Sequence, residues 1–92
     1  FSAVDALSRA HLQDLLIDVW EQHRLTVVFV THDIDEALYL SDRVIVLAPS
    51  GRGIEWDQKV DLPRPRDQID TKANPRFLEL RGAILARVLK NN

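Results

Sequence analysis

The stretch Val27-Val28-Phe29-Val30-Thr31-His32-Asp33 decides the fold that we expect for this chain. Its four consecutive β-branched or aromatic residues predict a strand from Leu25 to Thr31 that is buried on both faces, as interior strands of parallel sheets are. His32 follows the carboxyl end of this strand, where open α/β sheets place their ligand crevice. The position of His32 therefore indicates a role in function.

Two roles are open for His32 on its position alone. A neutral imidazole offers one hydrogen-bond donor and one acceptor, which suits contact with a phosphate or a reacting water. Alternatively, the side chain caps the following helix or satisfies local backbone groups. His11 and His23 lie on the first predicted helix with no second ligand at metal-site spacing, so we predict no metal site.

The segments on either side of this stretch predict two helices and a second strand. A helix is expected from Ala6 to His23, with Asp5 as its N-cap. Its apolar stripe, at three- and four-residue spacing, consists of Leu12, Leu15, Leu16, Val19 and Trp20. Acidic residues followed by apolar ones predict a short helix over Asp33–Leu40, and Arg43–Ala48 predicts a strand. Strand, short helix and strand in this order predict a βαβ-like unit in a parallel sheet.

The second half of the chain predicts an edge strand and a terminal helix. A turn over 49–53 leads into a hairpin arm over Gly53–Leu62. Pro63-Arg64-Pro65-Arg66 ends this arm as a stiff exit, an interpretation that we prefer to a proline-rich ligand for a partner domain. The partly buried positions of the arm are expected to be Ile54, Trp56 and Val60. Asn74 as N-cap and Pro75 at the first helical position then start the last helix. Its apolar face is expected to comprise Phe77, Leu80, Ile84 and Val88, with Leu85 and Leu89 beside them.

Composition limits the classes of protein to which this chain can belong. The chain has 92 residues, a net charge of −2, 46% apolar residues and no cysteine. Its basic residues are scattered, which disfavours nucleic acid as a partner. Its apolar runs are shorter than the roughly 20 residues that span a bilayer, so we expect a soluble, cytoplasmic chain. Two parallel strands cannot cover their own faces and the chain starts at Phe1, so we expect a fragment of a larger domain.

Two segments taken together resemble ATP-binding cassette (ABC) ATPases. Ser2-Ala3-Val4-Asp5, which alone predicts only a loop feeding a capped helix, is similar to the D-loop of the family, usually Ser-Ala-Leu-Asp. Thr31-His32-Asp33, followed by Glu36-Ala37, is similar to the switch loop or H-loop. The intervening helix and strand, and the strand at 43–47, match as well. Residues 63–66 with the terminal helix resemble the tail of the nitrate, sulfonate and taurine importer ATPases.

This resemblance implies a fold and a set of site residues. The fold would be α/β, the carboxyl-terminal part of a P-loop NTPase domain with parallel strands flanked by helices. Residues 1–48 would end the ATPase core, and residues 49–92 would form a carboxyl-terminal extension. His32 would contact the γ-phosphate of ATP and help hold the attacking water and the catalytic glutamate. The D-loop residues Ser2, Ala3, Val4 and Asp5 would lie at the interface of two ATPase subunits.

The motifs that bind most of the nucleotide do not occur in these 92 residues. There is no Gly-x-x-x-x-Gly-Lys-Ser/Thr stretch and no Leu-Ser-Gly-Gly-Gln stretch. The Walker B aspartate and the catalytic glutamate, which precede the D-loop in the family, would lie before Phe1. We therefore expect the chain alone neither to bind ATP well nor to hydrolyse it, whereas its parent would use ATP and Mg²⁺.

The resemblance also implies partners and a location for the parent. It would work as a dimer on the cytoplasmic face of the cell membrane, bound to a permease and served indirectly by a substrate-binding protein. The cargo would be a small anion such as nitrate, a sulfonate or taurine. The alternative is a non-catalytic interaction or regulatory module that docks to a permease or an ATPase. A cassette ATPase that acts on DNA is disfavoured by the short first helix and the importer-like tail.

Overall fold

The computed structural model describes residues 3–49, 51 and 53–90. The helices and strands of this part of the chain are α1 (Ala3–His23), α2 (Ile34–Leu40), β1 (Arg43–Leu47), β2 (Ile54–Lys59), α3 (Asp70–Ala73) and α4 (Pro75–Lys90). The chain divides into a first unit, Phe1–Val30, and a second unit, Thr31–Asn92.

Helix α1 makes up most of the first unit. It begins at Ala3 rather than at the predicted Ala6, so Asp5 lies in the first turn and the prediction of Asp5 as N-cap is wrong. A carboxylate in the first turn also suits the helix dipole, so the same residue type is compatible with either start. The helix ends where Arg24 adopts a positive φ of 52° and its amide donates to the Trp20 carbonyl oxygen at 2.7 Å.

The predicted strand over Leu25–Thr31 is not found. Residues 24–30 form no strand, and the side chains of Val28 and Val30 are each 87% exposed. An apolar run becomes a strand only when a neighbouring strand satisfies its amides and carbonyls, and residues 3–49, 51 and 53–90 supply no such neighbour. The βαβ-like unit with parallel strands is therefore not formed in this part of the chain.

The sheet is instead an antiparallel hairpin in the second unit. Strand β1 pairs with β2, from Arg43 opposite Lys59 to Leu47 opposite Ile54, with an irregularity between Val46 and Leu47. Two antiparallel strands can be joined by a short connection, whereas a parallel pair needs a long crossover. Strand β1 confirms the prediction of a strand in this part of the sequence.

The connection between the strands uses glycine where the backbone requires it. Gly51 and Gly53 have φ values of 72° and 98°, in the left-handed region that glycine adopts without strain. The Ala48 amide donates to the Gly53 carbonyl oxygen at 2.9 Å, which closes the turn.

Strand β2 is shorter than the predicted arm. Trp56 is half-buried and Val60, one residue beyond the strand, is buried, as expected. Ile54 is 59% exposed, so its predicted burial is wrong; it lies opposite the exposed Leu47 at the turn end of the hairpin. Arg43 reaches across the hairpin to Asp57, and this hydrogen bond lowers the pKa of the Asp57 carboxyl.

Helix α4 organises the core of the second unit. Its start is confirmed: Pro75 is its first residue, and Oδ1 of Asn74 accepts from the Arg76 amide at 2.8 Å. Its apolar face packs on α2, α3 and the hairpin. The buried core cluster comprises Leu38, Val44, Val60, Leu62, Phe77, Leu80 and Ile84, with Val88 partly buried against it. Leu85 and Leu89 are exposed and lie outside this core.

Two leucines of α4 provide a matched test of this packing. Leu80 is 2% exposed and Leu89 is 62% exposed. We expect Leu80→Ala to lower the free energy of unfolding by about 2–5 kcal/mol, because it leaves a cavity in the core. Leu89→Ala should change it by less than about 0.5 kcal/mol.

The measurement is urea unfolding of the 92-residue chain, followed by Trp56 fluorescence in a Trp20→Phe background so that the signal reports the second unit alone. Equal transition midpoints for the two alanine variants would contradict the assignment of the core.

Candidate functional site

The loop that carries His32 is built around the start of α2. We call residues 31–33 the histidine loop. Asp33 is the N-cap of α2, and its Oδ1 accepts from the Glu36 amide at 3.1 Å. The short helix predicted here is confirmed, with Asp33 as its cap and Ile34 as its first residue. An aspartate at this position satisfies one of the amides that the first turn leaves without a helical partner.

Thr31 closes the other side of the loop. Its hydroxyl oxygen accepts from the Asp33 amide at 3.1 Å, and the hydroxyl donates to Oε1 of Glu36 at 3.0 Å. Glu36 is buried, so its carboxylate needs such partners. Thr31, Asp33 and Glu36 together tie the loop to the first turn of α2.

His32 projects between these two fixed residues. Its side chain is exposed and makes no hydrogen bond or ion pair with residues 3–49, 51 or 53–90. Capping is carried out by Asp33 and bracing by Thr31, so the alternative role for His32, local satisfaction of the backbone, is not what the structure shows. The imidazole is available to a hydrogen-bonding ligand such as a phosphate oxygen.

The carboxyl end of α2 is held by Arg66. The guanidinium has an exposed fraction of 0%. Its Nε donates to the Tyr39 carbonyl oxygen at 3.0 Å and its Nη2 to that of Ser41 at 2.9 Å. Its Nη1 donates to the carbonyl oxygens of Leu62 and Pro63 at 2.6 and 2.9 Å. The last carbonyls of a helix lack helical partners, and a cation is favourable beside them.

Arg64 completes this arrangement from the same segment. Its Nη2 donates to the Leu40 carbonyl oxygen at 3.1 Å, and its Nε and Nη2 both donate to Oδ1 of Asp42. We call Arg64 and Arg66 the guanidinium cap. Burial lowers the pKa of the Arg66 guanidinium, because a low-dielectric environment disfavours the charged form.

Sequence reasoning missed the guanidinium cap. It predicted a stiff exit from an edge strand at residues 63–66 and assigned no role to the arginines. The partners of Arg66 are mostly backbone carbonyls, one of them 27 residues away, and carbonyls carry no sequence signal.

The other predicted site residues belong to the first unit. Ser2 lies outside the described residues, Ala3 and Val4 open α1, and Asp5 is exposed in its first turn. His32 belongs to the second unit. Within residues 3–49, 51 and 53–90, no group of three or more histidine, cysteine or acidic side chains could hold a metal ion.

No helix in the described part of the chain is both long and apolar enough to cross a membrane.

No protein-family model matches the chain. Individual proteins do. It is 54% identical over 70 residues to an aliphatic sulfonates import ATP-binding protein of Burkholderia cenocepacia, covering 76% of this chain and 26% of that protein. It is 51% identical over 85 residues to a protein of the same description from Burkholderia lata, covering 92% of this chain and 30% of the relative. A third, from Bacillus cereus, is 42% identical over 85 residues, with 92% and 32% covered. The chain thus spans about a quarter to a third of the length of these relatives.

Substitutions of Asp33 and of His32 test which of these two side chains stabilises the histidine loop. We expect Asp33→Ala to lower the free energy of unfolding of the second unit by about 1 kcal/mol, because the Glu36 amide loses its acceptor. His32→Ala should change it by less than about 0.5 kcal/mol, since the side chain is exposed.

Both values come from urea unfolding followed by Trp56 fluorescence. A larger loss for His32→Ala than for Asp33→Ala would mean that the histidine, and not the aspartate, stabilises the loop.

Proposed function

We propose, from the homology of this chain to ATP-binding proteins of ABC importers, that it forms the part of such an ATPase that carries the H-loop and the D-loop. These relatives are three to four times longer than the matched segment. The cradle for the nucleotide phosphates and the ligands of Mg²⁺ therefore come from the rest of the ATPase, because this sequence contains no Gly-x-x-x-x-Gly-Lys-Ser/Thr stretch.

The observation that carries the proposal is that the local hydrogen bonds of the histidine loop are made by residues other than His32. Thr31 and Asp33 make the local hydrogen bonds, and His32 is left exposed between them. A histidine that only stabilised the loop would itself take part in those bonds. A fixed backbone with a solvent-facing imidazole is what a ligand-binding histidine requires, because little ordering is left to do when the ligand binds.

His32 is the catalytic residue in this proposal. ATP, bound with Mg²⁺, supplies the phosphoryl group that is transferred to water. The His32 imidazole donates a hydrogen bond to the γ-phosphate and helps to orient the attacking water and a catalytic glutamate from the rest of the protein. Catalysis of phosphoryl transfer consists mostly of such positioning and electrostatic stabilisation, so a single donor has a large effect on rate.

The remaining assignments concern assembly. Ser2, Ala3, Val4 and Asp5 contact a second ATPase subunit as the D-loop, which the exposed position of Asp5 in the first turn of α1 supports. Residues 1–48 end the ATPase core and residues 49–92 form its extension. The dimer binds a permease on the cytoplasmic face of the membrane, and a substrate-binding protein delivers the cargo. The names of the relatives favour an aliphatic sulfonate as that cargo.

Substitution of His32 in the whole ATPase tests the proposal. We expect His32→Ala to lower kcat for ATP hydrolysis by about 100-fold or more, because one preorganised donor to the γ-phosphate is lost. The dissociation constant for ATP should change by less than about twofold, since most of the contacts to the nucleotide come from other residues.

The matched control is His23→Ala, which removes an exposed histidine from the end of α1. It should leave both constants unchanged. Normal turnover by His32→Ala would refute the assignment of the H-loop. A whole protein that neither binds nor hydrolyses ATP would instead favour the non-catalytic docking module.

A further inference from the structure

Helix α2 is a very short element that is held by side chains at both ends. Its seven residues extend about 10 Å. Asp33 caps its amino end, and the guanidinium cap holds the carbonyls at its carboxyl end. A helix of this length has no appreciable stability alone, so its position depends on these contacts and on packing.

Packing fixes α2 in the core between its two ends. Leu38 and Tyr39 have no exposed surface, and Ile34 and Ala37 pack against the core cluster. Protein interiors are close-packed, so a change at one end of such an element is passed to the other end rather than absorbed between them. The histidine loop lies at one end of α2 and the guanidinium cap at the other.

The cap also joins α2 to the segment that follows the hairpin. Arg66 donates to Tyr39 and Ser41 at the end of α2 and to Leu62 and Pro63 in the later segment. Arg64 adds the Leu40 carbonyl and the Asp42 carboxylate. The orientation of α2 is therefore set by five carbonyl contacts made by two planar guanidinium groups.

A buried guanidinium contributes little net free energy to the stability of a fold. Removing the charge from water costs free energy, and apolar side chains of the same volume often replace buried ion pairs without loss of stability. The nearest carboxylate oxygen, Oδ1 of Asp42, is 4.0 Å from Nη2 of Arg66. What the guanidinium supplies and an apolar side chain cannot is a fixed direction for several carbonyls at once.

We propose that Arg66 and Arg64 are positioning residues for ATP hydrolysis, which hold α2 and thereby the histidine loop in the orientation that aligns His32 with the γ-phosphate. This inference rests on the proposed function of His32. It extends that function to residues 63–66, which have no contact with the nucleotide in this proposal.

A double-mutant cycle in the whole ATPase tests the inference. Arg66→Lys keeps the charge but cannot reach all four carbonyls, and we expect it to lower kcat about tenfold with KM and the ATP dissociation constant changed less than about twofold. In a His32→Ala background, Arg66→Lys should lower kcat by less than about twofold, because the residue through which it acts is already missing. Single-turnover assays make the slow variants measurable.

Two further variants make the test robust. Arg76→Lys is the matched control, since Arg76 forms an exposed ion pair with Asp61 from α4; it should leave kcat unchanged in both backgrounds. Arg64→Lys decides the matter if Arg66→Lys fails to fold, and it should lower kcat about threefold with the same loss of effect beside His32→Ala.

The outcomes separate this inference from the proposed function. If His32→Ala is slow but the arginine substitutions reduce kcat equally in both backgrounds, the arginines act independently of His32 and the positioning role is overturned. Unchanged kcat in both arginine variants overturns it as well. Normal turnover by His32→Ala overturns the proposed function and this inference together.

Discussion

Burial of the Arg66 guanidinium against backbone carbonyls is the interaction that joins the end of α2 to the segment after the hairpin. The carbonyls of Tyr39 and Ser41 at the end of α2 and those of Leu62 and Pro63 all accept from this one planar group. A buried carbonyl without a donor costs on the order of 1–3 kcal/mol. Without this group the protein would have to expose that region to water, and α2 would lose the contact that orients its carboxyl end.

Both ends of α2 are held by side chains other than that of His32. Arginines satisfy the carboxyl end, and Asp33 and Thr31 satisfy the amino end. His32 makes none of the hydrogen bonds that hold the loop, although it lies between the two residues that do. A rigid backbone with a free imidazole is the form in which a histidine can recognise a phosphate with little loss of conformational entropy.

The features predicted correctly from sequence are those with local causes. Asn74 followed by Pro75 marks the start of α4 through contacts within three residues, and the spacing of Phe77, Leu80 and Ile84 identifies its buried face. The acidic first turn of α2 marks that helix in the same way. These features can be predicted because the residues that interact are adjacent or regularly spaced in the sequence.

The missing strand and the missed role of Arg66 have non-local causes. The run Val27–Val30 has strand-forming residues, but a strand also needs a neighbour, and none is present among the described residues. The role of Arg66 could not be found because its partners are carbonyls up to 27 residues away. The functional role of His32 stays a prediction from its position, whereas its lack of local hydrogen bonds could be established only from the structure.

The most direct test of the account is a spectrum of the His32 imidazole in the whole ATPase. Ring-nitrogen NMR of ¹⁵N-histidine-labelled protein, with His32 assigned by its loss in His32→Ala, would be recorded with Mg-ADP and with a non-hydrolysable Mg-ATP analogue. A resonance that shifts with the ATP analogue and not with ADP is predicted, because only the γ-phosphate distinguishes the two. A resonance that is the same in both states would contradict the claim that His32 contacts that phosphate.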